Sequence, residues 1–241
     1  MIRLNADGLD ARTLNQEIRD IEMDGFEIYG CCGQRFLGAG MNDRQILIHG
    51  IPGNALGAYL NGAKITVMGN AQDAVGDTMN AGSIVVHGDI GDAAGYAMRG
   101  GEIFIRGNAG YRAGIHMKAY QEKVPVMVIG GCAGSFLGEY QAGGVIVVLG
   151  LSAENQRIVG NFPCTGMHGG MVILRSDCRE IRFPDQVTAS PANDREMMQI
   201  AKYVKRYCSY FSCDPAPILD SPFTVIRPNS ANPYKQLYVM N

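Results

Sequence analysis

Between Gln45 and Gly114 the chain repeats itself at a fixed interval, and no other property limits its fold as tightly. Gln45-Ile-Leu-Ile-His-Gly50, Lys64-Ile-Thr-Val-Met-Gly69, Ser83-Ile-Val-Val-His-Gly88 and Glu102-Ile-Phe-Ile-Arg-Gly107 follow one another at equal steps. A second glycine trails each of them at an equal distance, at Gly57, Gly76, Gly95 and Gly114. A period of about 20 residues marks a solenoid, in which each repeat is one coil resting on the last. A βαβ unit with a nucleotide loop at Gly130-Gly-Cys-Ala-Gly134 is the rival, but it needs roughly 30 residues for strand, helix and return. A step as short as that from Gly50 to Gly69 leaves no room for it.

The rhythm extends both ways. Gly38 stands one such step before Gly57, and Gly131 one step before Gly150. An insertion around Ala119–Pro125 lengthens one repeat. Gly130–Gly138 echoes the segment ending at Gly38, with Phe-Leu-Gly in both. A longer loop, Leu151–Gly170, leads to a last strand, Met171–Ser176.

Aligned strands put Ile46, Ile65, Ile84, Ile103, Met127, Ile146 and Val172 in one column. Ile48, Val67, Val86, Ile105, Ile129, Val148 and Leu174 form another, two positions on. Alternate strand residues share a face, so these columns fill the interior, and β-branched side chains suit it. Gly38, Gly50, Gly57, Gly69, Gly76, Gly88, Gly95, Gly107, Gly114, Gly131, Gly138 and Gly150 are read as structural corners. Glycine there, with Asn70, Asp89 and Asn108, tolerates the left-handed backbone of a sharp bend. Right-handed winding is the default for parallel crossovers. The expected fold is therefore all-β, a single-stranded right-handed parallel β-helix of about seven coils.

Three regions follow. Residues 1–25 carry a short strand and a helix near Asp10–Ile21, with Leu14, Ile18 and Ile21 at helical spacing, which caps the first coil. Residues 26–182 are the β-helix, beginning near Phe26. Residues 183–241 are an appendage: a helix over Ala192–Cys208 capped by Asn193 or Asp194, then an extended Phe223–Pro228 and a Pro/Asn-rich tail.

Composition removes whole classes of function. A net charge of −2 offers no electrostatic case for nucleic acid or an anionic membrane. Seven cysteines without paired spacing fit reduced thiols in a cytoplasmic protein better than a disulfide frame. No apolar run reaches the roughly 18 residues of a membrane helix, and Met1-Ile-Arg-Leu-Asn5 is not a signal peptide.

The reactive side chains read as structural. Cys208 and Cys213, even with Cys164 and Cys178, lack the close pairs that zinc or iron–sulfur sites use. Adjacent Cys31 and Cys32 rarely meet disulfide geometry. His49 and His87 share an outward column, about 9–10 Å apart across two coils, too far for one metal. His116 and His168 stand alone, and Asn54, Asp73 and Asp92 form a corner ladder bonding backbone. No catalytic, cofactor-binding or metal-ligating residue is assigned. One column resists this reading. Leu47, Val85, Phe104, Val128, Val147 and Ile173 should point outward yet are apolar, so the sheet is covered on both faces, by the C-terminal helix, another subunit, or both.

Several segments carry a family resemblance: Ala11-Arg-Thr-Leu14, Gly33-Gln-Arg-Phe-Leu-Gly38, Gly69-Asn-Ala-Gln-Asp-Ala-Val-Gly76 and Ala142–Gly150. Over residues 10–175 the chain resembles the C-terminal GXGXG β-helix domain of the glutamate synthase large subunit. Gly114-Ile-His-Met117 and Phe136–Gly143 are similar to its stand-alone, archaeal-type form. The glycine repeat alone is shared with a formylmethanofuran dehydrogenase subunit, and the region after Arg182 departs from the large-subunit pattern. In that family an amidotransferase domain releases ammonia from glutamine, and an FMN and iron–sulfur domain uses it to convert 2-oxoglutarate to glutamate. The resemblance implies a non-catalytic scaffold without its own cofactor, joining amidotransferase and FMN/iron–sulfur subunits. The sequence agrees by what it lacks, with Ile2 after Met1 where an amidotransferase nucleophile would be cysteine. The alternatives are the equivalent subunit of formylmethanofuran dehydrogenase or a methylglutamate synthase-like system, and a free-standing β-helix enzyme or ligand binder using the Leu151–Gly170 loop.

Overall fold

Each repeat contributes a strand that pairs with its counterpart one repeat on. The computed structural model describes residues 2–153 and 157–229. In chain order the strands are β1 (Ile2–Asn5), β2 (Gly25–Cys32), β3 (Gln45–Ile51), β4 (Asn61–Val67), β5 (Ala81–Val86) and β6 (Glu102–Ile105). They continue with β7 (Val126–Ile129), β8 (Ala142–Val148), β9 (Gly169–Leu174), β10 (Val187–Pro191) and β11 (Thr224–Pro228). Among the described residues the helices are α1 (Ala11–Asp20), α2 (Asp194–Phe211) and the short α3 (Ala216–Leu219). Among the described residues these eleven strands form one sheet, β1 to β9 in sequence order, then β11, then β10.

From β1 to β9 every pairing is parallel, with Ile46 opposite Ile65, Ile65 opposite Ile84 and Ile84 opposite Ile103. The extra residues near Tyr120 close on themselves, Tyr120 and Lys123 exchanging 3.0 Å backbone bonds, and Ile103 still meets Met127. A second column of parallel pairings links Ala71, Ile90, Ala109, Ala133 and Val159. The sheet is mostly parallel with few helices, an arrangement that fits a solenoid-like stack of rungs.

Both ends carry the expected strand, helix and extended segment, and join them to the sheet. The stack begins at Ile2, which pairs with Phe26, so β1 is its first rung. Parallel neighbours need a crossover, and α1 supplies it. Asp10 caps α1 by accepting the Thr13 N–H at 2.8 Å, while Leu14 and Ile18 are buried with Phe26, Ile28 and Leu37. At the far end, β11 runs antiparallel to β9, with Val225 opposite Ile173, and β10 runs antiparallel to β11. The sequence reading has no strand at β10, whose segment Val-Thr-Ala-Ser-Pro carries little apolar pattern. The Pro/Asn-rich tail expected after Asn229 lies outside the described residues.

Two apolar cores result. The Ile46 and Ile48 columns are buried along the whole stack as the interior core. On the opposite strand face Val85, Phe104, Val128, Val147 and Ile173 pack beneath Ile200, Val204, Tyr207 and Cys208 of α2. A capping box starts α2: Asn193 Oδ1 accepts the Glu196 N–H at 3.0 Å, and Glu196 accepts the Asn193 N–H at 2.8 Å. The Tyr207 hydroxyl donates to the Arg106 carbonyl at 3.2 Å, and Gly130 gives it space, since a Cβ there would lie 2.7 Å from Tyr207 Cζ.

The corner glycines separate into two sets, and only one has the reason read from sequence. Gly38, Gly57, Gly76, Gly95, Gly114 and Gly138 have φ from +63° to +72°. At Gly57 a Cβ would also come within 2.7 Å of Ile84 Cδ1 in the core. Gly50 and Gly150 also have positive φ. Gly69, Gly88, Gly107 and Gly131 do not, nor do Asn70, Asp89 and Asn108. There glycine is needed for closeness. Asn70, Asp89 and Asn108 each accept a backbone N–H from the next rung, from Asp89 (2.9 Å), Asn108 (2.6 Å) and Cys132 (2.8 Å). Their side-chain oxygens occupy the space where a Cβ on Gly88, Gly107 or Gly131 would sit.

Candidate functional site

The corner that carries the left-handed glycines is also where the surface is most distinctive. Backbone φ is positive at alternate residues there: Arg112 (58°), Gly114 (72°) and His116 (56°) in one rung, Phe136 (61°), Gly138 (63°) and Tyr140 (52°) in the next. Reversing every second peptide sends N–H groups alternately up and down the stack. Arg112 N–H donates to Ser135 O (2.9 Å), Gly114 N–H to Ala94 O (2.8 Å) and His116 N–H to Glu139 O (2.9 Å). Each rung is thereby bonded to both neighbours at this edge. The middle residue must be glycine, whereas the outer two carry side chains at a cost of about 1–2 kcal/mol each.

What fills the first of these positions varies. It is alanine at Ala55, Ala74 and Ala93, but Phe36, Arg112, Phe136 and Phe162 elsewhere, all with positive φ. Large side chains gain nothing from such a backbone, so their presence has to be explained by what they touch. Tyr111 meets Phe136 and Phe136 meets Phe162, each pair with ring centroids 5.2 Å apart. The Arg112 guanidinium sits 5.2 Å from the Tyr111 centroid and 5.5 Å from that of Phe136, and its Nε donates to Glu139 at 2.9 Å. Beside them His116 stacks on Tyr140 at 5.2 Å and takes Tyr96 edge-on at 5.8 Å. This strip faces solvent: Phe162 is 63% exposed, Tyr96 40%, Tyr111 39% and Tyr140 37%. Sequence reading sees Phe36 and Phe136 only as an echo and His116 as isolated. For Phe36, Arg112 and Phe136 the signal is there in the spacing, once the insertion near Tyr120 is allowed for, but not for Phe162.

In composition this strip matches a contact surface. Glu139 is buried against Arg112, so charge is neutralised within the strip. Rigid aromatic rings plus arginine are the side chains that dominate protein–protein contacts. Among the described residues of the strip no nucleophile stands beside a base.

The residues singled out in sequence behave otherwise. Val85, Phe104, Val128, Val147 and Ile173 are buried beneath α2, so their cover is intramolecular; Leu47 alone of the six is half-exposed. It lines a shallow groove of ≈ 380 Å³ with Lys64, Thr66, Arg206 and Tyr210, where α2 ends. His49 stacks on Tyr29 at 4.3 Å, while His87 meets Phe211 edge-on at 5.1 Å, and burial pushes the His87 imidazole down. The structure thus gives the two histidines separate neighbours. Asn54, Asp73 and Asp92 accept the N–H groups of Asp73, Asp92 and Tyr111 at 3.3, 2.9 and 2.7 Å, a ladder bonding backbone. Beside the Leu151–Gly170 loop lies a hollow of ≈ 230 Å³ lined by Arg157, Asp177, Arg179 and Glu180. Arg179 is already paired with Asp177 at 3.0 Å, and burial pushes the Cys178 thiol up, away from nucleophile chemistry. Among the described residues no group of three or more His, Cys, Asp or Glu side chains could hold a metal ion. Among them, too, no helix is long and apolar enough to cross a membrane.

Comparison with known proteins agrees with this architecture. Over 130 residues the chain is 38% identical to an uncharacterized protein of Methanocaldococcus jannaschii. That match takes in 52% of this chain and 50% of the relative, so the chain spans about half the length of the curated relative it matches. At the level of fold it is similar to a chain in the crystal structure of the formyltransferase/hydrolase complex from Methylorubrum extorquens in complex with methylofuran. The TM-score is 0.62 at 20% identity, covering 92% of this chain and 89% of that one. The GXGXG motif model matches residues 11–228, from the first turn of α1 to the end of β11. The chain therefore belongs to the GXGXG motif family, the domain found in the C-terminal region of glutamate synthase large subunits.

Proposed function

We propose that this protein is a non-catalytic scaffold subunit of a glutamate synthase-type complex. Its rungs wind right-handed in about seven coils, as parallel crossovers do. An amidotransferase subunit and an FMN/iron–sulfur subunit dock on it in the cytoplasm, and their fixed relation limits loss of ammonia between them. The FMN and clusters belong to the partners. The observation that carries this reading is the exposed aromatic strip on an edge bonded up and down the stack. It is a firm surface in which Arg112 and Glu139 neutralise each other. Membership of the GXGXG family supports the choice of complex.

The fold likeness to a chain of the formyltransferase/hydrolase complex favours one second reading, the equivalent scaffold in a formyl-group-transferring assembly. Purification of the tagged full-length chain from its source cell separates the two. Stoichiometric amidotransferase and flavin or iron–sulfur subunits support the first, and formyl-transfer subunits the second. A Phe136→Ser, Phe162→Ser variant should fold normally and lose the partner. Recovery of the chain without any stoichiometric partner overturns both readings.

A further inference from the structure

The C-terminal end of α2 holds two thiols in unusual proximity. Ser212 takes the left-handed conformation (φ 54°, ψ 46°) and its N–H bonds the Cys208 carbonyl. That reversal swings the next residue back over the helix end. The Cys213 N–H comes within 3.3 Å of the same carbonyl, and Cys213 Sγ lies 2.8 Å from Cys208 Sγ. Both side chains belong to the flank core beside Tyr207, Cys208 buried and Cys213 partly exposed. Adjacent Cys31 and Cys32 make the contrast, since one is buried and the other exposed on opposite strand faces.

We propose that Cys208 and Cys213 are a site of reversible thiol oxidation, closing to a disulfide with a low-molecular-weight disulfide of the glutathione class as oxidant. The sulfurs have less than about 1 Å to close to bonding distance, and the turn that brings them together is already formed. Cys213, the accessible partner, attacks one sulfur of the small disulfide as thiolate. A Cys213–small-thiol bond forms and the first small thiolate leaves. Cys208, once deprotonated, attacks the Cys213 sulfur, forms the protein disulfide and expels the second small thiolate. Two protein thiols are oxidised, one small disulfide is reduced to two small thiols, and the two protons pass through solvent to them. Burial, reinforced by Cys213, pushes the Cys208 thiol up to about 12, which suits the resolving role better than the attacking one. The bond clasps the last turn of α2 to the segment entering α3. It thus holds Phe211 on His87 and Tyr210 on Phe104, where the cover ends. This inference is independent of which complex the chain serves.

The test uses the full-length folded chain, equilibrated in glutathione buffers from reducing to oxidising, acid-quenched, alkylated with N-ethylmaleimide and mapped by mass spectrometry. The expected result is the joint loss of the Cys208 and Cys213 thiols, with their peptides cross-linked. The oxidised form should melt roughly 4–8 °C above the reduced one. In Cys213→Ser, which keeps the fold because that side chain reaches the surface, both the cross-link and the melting difference should vanish. Full alkylation of both thiols under oxidising buffer overturns the proposal. So does a mixed disulfide at Cys213 that never resolves. Equal melting temperatures for the two forms overturn the clasp.

Discussion

The outward strand face has two halves, and they read differently. From β5 to β9 it presents Val85, Phe104, Val128, Val147 and Ile173, all buried beneath α2. From β2 to β4 it presents Glu27, Tyr29, Leu47, His49 and Thr66, half-exposed, with Gln45, Lys64 and Met68 in solvent. The interior columns do not change across that boundary. What changes is the length of the cover. The 18 residues of α2 rise about 1.5 Å each and span roughly 27 Å, while the six strands from β11 to β5 span roughly 24 Å. The helix runs out at β5, and the strands beyond it are polar because water is their neighbour. Where Arg206 crosses to Glu102 at 2.6 Å, the apolar cover gives way to an ion pair.

Substitutions at matched positions can break or sharpen that contrast. Phe104→Ala, beneath the cover, should cost about 3–5 kcal/mol in urea denaturation. Leu47→Ala, at the same register beyond it, should cost less than about 1 kcal/mol. Equal losses would mean that α2 does not distinguish the halves. Gly130→Ala pushes a methyl group into both Tyr207 and the Arg106 carbonyl and should cost about 1–3 kcal/mol, with Tyr207→Phe in the same chain recovering only the share due to the hydroxyl. Failure of that rescue would show that the Arg106 carbonyl and the ring itself, and not the hydroxyl, set the need for glycine at Gly130. Asn193→Ala removes the cap where the cover begins, with an expected loss of about 1 kcal/mol and earlier hydrogen exchange in the first turn of α2. Arg206→Gln at the boundary should change stability by less than about 1 kcal/mol. Burial pushes the Glu102 carboxyl up, whereas at Arg206 burial is outweighed by Tyr210 and Glu102, which hold the guanidinium up; the two partners pull opposite ways, and water screens the half-exposed pair.

How much of this is legible in the sequence depends on periodicity. The interior columns, the parallel register and the corner positions recur once per rung, and each repeat confirms the last. The glycine corners stand out for that reason, yet the cause at Gly88 and Gly107 does not. Spacing shows that a small residue recurs, and only coordinates show that a side chain from the rung below fills the gap. The antiparallel end is not legible. β10 occurs once, ends in Pro191 and has a single buried residue, Val187, so no pattern can accumulate. The apolar outward column does announce a cover, though not its extent, because helix length sets that extent at a distance in sequence. The aromatic strip is hidden by unequal spacing. The step from Phe136 to Phe162 is longer than the regular period, and the fold alone brings them to a common edge.

The fit between α2 and the strands beneath it also limits how such a chain can change size. Inserting or deleting a rung between β5 and β9 would leave the helix too short or overhanging by about 5 Å. A rung gained or lost among β2 to β4 meets no such ruler, because each contacts only its immediate neighbours. Relatives that differ in length should therefore vary at the uncovered end, with the covered strands constant in number.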